Sequence, residues 1–390
     1  MKRILLVDGD PAALRLLQQE LAVLREACDL SFVAGAAEAL ALLEQSTYDV
    51  VLTDIHLGGM GGLELLAEVK RRYPQVVRLA YSGCAHQDLV VRGLAVAHQV
   101  LPKPLSAELV WGTVSRACAL RDQLGSAALL TLVSGLHRLP SLPSVYEELV
   151  TVARDDSSTI DQAARIIVKD AGLAAHLLHI VNSVFFNLRR TVVSPAHAVA
   201  LLGLETVSAL VLSASVHQTL QTAESDRATV ASLQRHGLAV AQSARQFVSM
   251  EEVGRLALDQ AFTAGLLHDL GRLVLETQMP AECRAVRQLM EGERLTDVEA
   301  ERVVLHATHA QVGGYVLALW GLGAAVVEAV VFHHEPRSAH RREFSVLTAV
   351  HVADGCAQAE RSGMESGKVD HEYLAEIGFA DRFAQWKAAV

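Results

Sequence analysis

The chain has 390 residues, 51% of them hydrophobic and 20% charged, which exceeds one ordinary domain and rules out global disorder. Its formal charge is −10, split as 12 Lys+Arg against 14 Asp+Glu in residues 1–124 and 22 against 30 beyond. Neither part has the basic excess that non-specific nucleic-acid binding requires.

Ile4–Val7 is an apolar run that reads as a strand, stopped by Asp8-Gly9-Asp10-Pro11. Pro11 suits the first turn of a helix with apolar positions at Leu14, Leu17, Leu21 and Leu24. Strand Leu30–Val33, helix Ala36–Leu43 and strand Asp49–Thr53 follow, the last ending at Asp54. After the turn GGMGG come helix Leu63–Arg72, strand Val76–Tyr81, helix Asp88–Ala95, strand Gln99–Leu101 and helix Ala107–Leu124. This strand–helix alternation predicts a doubly wound parallel sheet, whose ligands gather at the carboxyl ends of the strands. Asp8, Asp10, Asp54, Ser82 and Lys103 all fall at those ends. Clustered carboxylates call for a hard dication such as Mg²⁺, beside which a carboxylate can attack a phosphoryl group. Ser82 and Lys103 would then hold phosphoryl oxygens.

Through ILLVDGDP, VVLTDIHLGGMGGLEL, RLAYSGCA and VLPKPL, residues 1–124 resemble a response-regulator receiver domain of flavodoxin-like α/β fold. The resemblance implies Asp54 as phosphoacceptor and a sensor histidine kinase as partner. It implies Ser82 as switch hydroxyl, Lys103 as the family's lysine, and a Lys103–Pro104 bond that is often cis. Mg²⁺ would be held by Asp8, Asp10, Asp54 and the carbonyl of His56. Two positions depart from the family: Gly9 stands where a second adjacent acid belongs, and Val100 where the switch aromatic would fall. Competing readings are a receiver-fold dimerisation module, and Asp8 and Asp10 as plain helix caps.

Residues 125–138 form the connection, within an amphipathic, helix-prone stretch Arg121–Gly135. From 139 to 390 three-to-four-residue spacings dominate and predict an all-α domain. Helices are expected over Ile160–Lys169 and Leu173–Asn182, and after the cap Ser194-Pro195. AVALLGLETVSALVLSASV is apolar nearly all round and belongs at the centre of the helical core. The membrane-like stretch Val312–Phe332 contains Gly321, Gly323 and Glu328, so it reads as two buried helices and no membrane span. The five cysteines show no paired spacing, which fits a reducing cytoplasm, and MKRILLVDGD lacks the pattern of a secretory leader.

The segments LPSLPSVYEELV, IVKDAGLAAHLLHIVNSVFF and SPAHAVALLGLETVSALVLSA are similar to the HDOD family, a relative of the HD phosphohydrolases. HDOD domains are signalling or binding modules that have usually lost the metal site of those relatives. Here the HD set His236, His268-Asp269 and Asp354 is present, and His309, His333 and His334 fall where the HD-GYP subclass adds a second metal. The resemblance therefore implies a divalent transition metal, or two sharing Asp269. The subclass's catalytic lysine falls at Arg272, a candidate phosphate contact, and its GYP tripeptide is absent. His306, three residues before His309 and on the same helical face by spacing, reads as a surface residue or one that only supports a ligand from behind. His137, His176, His179, His197, His217, His340 and His371 read as ordinary helix-bundle residues. Three functions follow from this reading. The first is a cytoplasmic, homodimeric response regulator whose HDOD domain binds a downstream signalling protein or a (cyclic di)nucleotide, without direct DNA contact. The second is a receiver-controlled, metal-dependent phosphohydrolase. The third is a scaffold with a degenerate receiver.

Overall fold

A computed structural model describes residues 2–57, 60–73, 76–82, 97, 99–124, 129, 132–133, 143–153, 159–183, 186, 192–220, 227–293, 295–339, 341–362 and 368–389. Apart from the stretch Ala318–Gly321, the chain divides into two compact units at Ser141/Leu142.

The first unit is built on five parallel strands: β1 Lys2–Val7, β2 Cys28–Val33, β3 Val50–Asp54, β4 Val77–Ser82 and β5 Gln99–Pro102. Their order is β2-β1-β3-β4-β5, the doubly wound arrangement the alternation predicts. Helices Pro11–Glu20, Ala36–Gln45 and Gly62–Arg72 join β1 to β2, β2 to β3 and β3 to β4, and Ala107–Leu124 follows β5. Strands β3 and β4 are buried along their whole length, as a parallel sheet clad on both faces requires. The register sets Val7 beside Thr53, Asp54 beside Tyr81 and Ser82 beside Pro102, so the strand ends align at one edge. A Cβ on Gly62 would lie 1.8 Å from the Asp54 carbonyl oxygen. Glycine alone therefore lets the next helix start against the end of β3. The first helix is shorter than its apolar spacing suggests: it stops at Glu20, and Leu21–Leu24 continue as a 3-10 turn with Leu21 and Leu24 still buried. The expected helix Asp88–Ala95 and most of the 125–138 connection lie outside the described residues.

The second unit is helical throughout its described residues. Thr159 caps helix Ile160–Val168, Asp170 caps Ala171–Val181, and the Ser194 side chain accepts the His197 N–H at the start of Pro195–Leu202. Gly203, at φ +82, turns that helix into Leu204–Leu220, where Val207, Leu210, Val211, Leu212 and Ala214 are fully buried. Helices Arg227–Met250 and Arg255–Leu267 pack backbone to backbone. A Cβ on Gly265 would sit 2.7 Å from Ala241 Cα, and one on Gly237 2.8 Å from the Leu266 oxygen. The apolar stretch after His309 is two helices, His309–Leu319 and Ala324–Phe332, parted by Gly321 at φ +78. Among the described residues no helix is long and apolar enough to cross a membrane. Beyond helix Val346–Ser362, a short tail folds back on the unit. There Trp386, fully buried, packs on Phe247 and Phe379 and donates its indole N–H to Glu251 at 2.9 Å.

Candidate functional site

Two polar clusters form at the places the sequence marks. In the first unit, Asp8, Asp54 and Ser82 are 1%, 7% and 8% exposed at the carboxyl edge of the sheet. Lys103, which follows β5 and precedes a cis proline, sets its Nζ 2.7 Å from Asp54 Oδ2 and 3.4 Å from Asp8 Oδ2. Asp54 Oδ1 accepts the His56 N–H at 3.0 Å. These two carboxylates are thus gathered around one ammonium. Asp10 is committed elsewhere: its Oδ1 accepts the Ala12 N–H at 2.8 Å as the helix cap, while its own N–H donates to Asp8 Oδ1. A residue outside the sequence reading joins the cluster. The Tyr81 hydroxyl donates to Asp8 Oδ2 at 2.9 Å, and its ring lies 4.9 Å below the Lys103 ammonium.

The second cluster draws on six helices or their ends. His236 lies within Arg227–Met250, and His268-Asp269 join Arg255–Leu267 to Leu270–Gln278. His309 opens its helix, His333-His334 close Ala324–Phe332, and Asp354 lies within Val346–Ser362. The backbone contact at Gly237 and Gly265 brings His236 and His268 to a ring separation of 5.0 Å. His236 Nε2 is 2.9 Å from Asp354 Oδ1, and His268 Nε2 lies 3.6 Å from Asp269 Oδ2 and 3.7 Å from Asp354 Oδ1. The His268 and His333 rings are 5.0 Å apart, and His334 Nε2 is 3.0 Å from His309 Nε2. Every histidine and aspartate in the expected set is therefore in one place. Three triads have donor atoms mutually within 4.8 Å: His236/His268/Asp354, His268/Asp269/His333 and His309/His333/His334.

Hydrogen bonding fixes how these rings face. His268 Nδ1 is 2.7 Å from the Gly265 carbonyl and His333 Nδ1 is 2.7 Å from the Val330 carbonyl. A carbonyl only accepts, so each Nδ1 carries the hydrogen and each Nε2 presents a lone pair. Both Nε2 atoms are buried and lack a hydrogen-bond partner. Two lone pairs left bare beside two carboxylates are a costly arrangement in water-excluded protein, and they are the donor set a divalent ion takes.

The charges agree. Burial pushes the His268 and His333 pKa values down, His333 well below the usual range. Burial also lowers His334 to about 4, helped by the neighbouring His309. Burial works against the Asp269 and Asp354 carboxylates. Arg272 with His268 nevertheless holds Asp269 well below the ordinary range, and the His236 bond with His268 does the same for Asp354. His309 differs: burial opposes its charge, but Glu301 lifts it to about 9.

The sequence reading did not include Glu301, Asp297, Lys368 and His351. Glu301 holds His309 Nδ1 at 2.8 Å, fixing the ring as second-layer carboxylates do. Asp297 accepts from Arg272 at 2.8 Å and from Lys368 at 2.5 Å. His351 Nδ1 donates to the His333 carbonyl at 2.6 Å, and its Nε2 accepts the Asp370 N–H. His306 does not share a helix face with His309. Helix Asp297–Leu305 ends before it, and His306 sits exposed in a left-handed cap at φ 58. Of the histidines read as ordinary, His176 pairs with Gln234 and His217 with the Ser213 carbonyl; His137 and His340 lie outside the described residues. Val216, His217, Leu233, Leu266, Leu270 and Leu273 line a small cleft that reaches Asp269.

Residues 4–114 match the response regulator receiver domain family, and residues 139–336 match the HDOD domain family. A solved HDOD domain protein of unknown function from Geobacter sulfurreducens is 22% identical, with a TM-score of 0.55, covering 69% of this chain and 97% of that one. That likeness bears on the fold. An uncharacterised protein of Treponema pallidum is 22% identical over 262 residues, 66% of this chain and 47% of its own. The DNA-binding transcriptional regulator NtrC of Escherichia coli is 29% identical over 180 residues, 44% of this chain and 37% of its own. The chain thus spans less than half the length of these two curated relatives.

Proposed function

Because the chain belongs to the HDOD domain family and carries a response regulator receiver domain ahead of it, we propose that it is a phosphorylation-responsive regulator whose helical output domain works around a divalent metal ion. The observation that carries the metal is the pair of buried, unpartnered imidazole nitrogens on His268 and His333, beside Asp269 and Asp354. His236, His268, Asp269 and Asp354 would hold the ion, with His333 next to them. Bound there, a divalent ion supplies Lewis acidity toward a phosphoryl oxygen. Asp269 and Asp354 stay ionised for it, and the Nδ1–H bonds to Gly265 and Val330 keep His268 and His333 in the ligating tautomer.

In the receiver, Asp54 would be the phosphoacceptor, with a sensor histidine kinase as donor. Lys103, 2.7 Å away, would neutralise the acyl phosphate, and Ser82 would bond one of its oxygens. Mg²⁺ would rest on Asp8, Asp54 and the His56 carbonyl, while Asp10 keeps its capping bond.

Metal analysis of the purified full-length chain after Mn²⁺ loading tests the output side. Binding that His268→Ala abolishes supports the reading, and absence of binding in the unaltered protein overturns it. For the receiver, acetyl phosphate should add one phosphoryl group to the protein and none to Asp54→Asn. The completeness of the HD set favours a second reading, a metal-dependent phosphohydrolase on a nucleotide. Opening of a cyclic dinucleotide to its linear dinucleotide by the Mn²⁺-loaded protein, water adding across one phosphodiester bond, lost in Asp269→Asn, would establish it.

A further inference from the structure

The inner atoms of the histidine cluster fall into two groups according to what they already touch. On one side, His268 Nε2 and His333 Nε2 have no hydrogen-bond partner. On the other, His309 Nε2 lies 3.3 Å from Arg272 Nη2 and 3.0 Å from His334 Nε2. Glu301 takes the His309 Nδ1 hydrogen at 2.8 Å, and His309 Nε2 also lies 3.3 Å from Asp269 Oδ1. Arg272 Nε makes a charge contact of 3.4 Å with Asp269 Oδ1, and its Nη2 bonds Asp297 at 2.8 Å. Asp297 is in turn tied to Lys368 at 2.5 Å. The arginine is thus strung between Asp269, the carboxylate that two metal ions would share, and His309, a ligand the second ion would need.

We infer that the Arg272 guanidinium takes the place of the second metal ion, so that the centre holds a single divalent ion and a fixed arginine. This rests on the reading of the cluster as a metal centre, and it goes further by assigning the cation on the His309 side to the chain itself. Arginine suits the place because its charge is permanent and its planar fork reaches the Asp269 and Asp297 carboxylates at once. A dication on the same side would face a positive charge held within hydrogen-bond distance of one of its ligands, in surroundings that screen poorly. His309 and His334 then position the guanidinium, while His236, His268, Asp269 and Asp354 ligate. A phosphorylated ligand entering the site would meet one metal ion on one flank and an arginine on the other, which selects for an anionic phosphate.

The test counts and couples metal ions without recourse to turnover. The full-length protein, Arg272→Met and His334→Ala are titrated with Mn²⁺, and bound metal is read by mass spectrometry and electron paramagnetic resonance. With the receiver's acid site kept filled by excess Mg²⁺, the unaltered chain is expected to bind about one Mn²⁺ ion with an isolated-ion spectrum, whereas Arg272→Met binds about two as the spin-coupled pair that ions roughly 3.5–4 Å apart produce. His334→Ala should leave the Mn²⁺ Kd of the unaltered site within about threefold, and this variant decides the matter if Arg272→Met does not fold. Two coupled ions in the unaltered chain overturn the inference and leave the metal reading standing. A folded Arg272→Met that stays at one ion, or a tenfold or greater weakening in His334→Ala, also overturns it. No ion in the unaltered chain removes the metal reading itself.

Discussion

Tyr81 puts a phenol where the receiver's acids meet, and its hydroxyl occupies the Asp8 oxygen that also faces Lys103. Gly9 leaves this site one carboxylate short, so the remaining acid is shared between a neutral donor and an ammonium. Removing the donor exposes the cost of a buried, under-bonded carboxylate oxygen, about 1–2 kcal/mol. Tyr81→Phe is therefore expected to lower the thermal stability of the Mg²⁺-free protein and to show a larger Mg²⁺-induced rise in Tm than the unaltered chain. Equal Mg²⁺ shifts in both proteins would mean that the phenol and the ion do not compete for Asp8. In the helical unit, buried carboxylates act in the same way, Glu301 fixing the His309 ring and Asp297 fixing both Arg272 and Lys368.

At the scale of elements, close backbone approach builds the histidine–aspartate cluster. A Cβ on Gly271 would lie 1.9 Å from the His309 oxygen and 2.5 Å from the Gly313 nitrogen, so helices Leu270–Gln278 and His309–Leu319 touch main chain to main chain. Gly271→Ala should cost about 3 kcal/mol in denaturant unfolding and weaken Mn²⁺ binding, because Asp269 and His309 flank that contact. Helix Ser144–Ala153 carries a separate prediction. Burial raises Glu147 to about 7, above its unfolded value, so folding is penalised as pH rises from about 4.5 through 7. Glu147→Gln should stabilise the protein by about 1 kcal/mol at pH 8, after discounting for partial exposure, and leave it unchanged at pH 5. Equal effects at both pH values would show that the carboxylate's charge is not the cause. The strands and most helices were legible because apolar runs and periodicity are local properties. The early stop at Glu20 was not, since helix Pro11–Glu20 and its 3-10 continuation present the same leucines inward. That the histidines and aspartates would come together was legible by resemblance, but Asp297, Glu301 and Lys368 were not. Their roles depend on pairs such as Arg272–Asp297 and Asp297–Lys368, 25 and 71 residues apart, and alone each reads as a solvated helix charge.

At the scale of the whole molecule, a receiver governs an output domain only if the two sites share free energy. Beryllofluoride with Mg²⁺, the acyl-phosphate mimic, is expected to change the Mn²⁺ Kd of the full chain by about fivefold or more. Mn²⁺ should change beryllofluoride affinity by the same factor, as linkage demands. Calorimetry on the unaltered chain and on Asp54→Asn would read both, and additivity of the two ligands would disconnect the metal from signalling. The path of the chain through the second unit has a further consequence. The family match ends at residue 336, yet Asp354 and Lys368 lie beyond it, as does Trp386, buried against the helix that carries His236. His351 also spans that limit, joining the His333 carbonyl to the Asp370 N–H. A similarity boundary is therefore not a folding boundary here. A fragment trimmed to the recognisable family segment would keep its family resemblance while losing a carboxylate of the metal set and the tail that closes its core. Sequence surveys that clip domains at such limits would miss Asp354 and count the histidine cluster as incomplete.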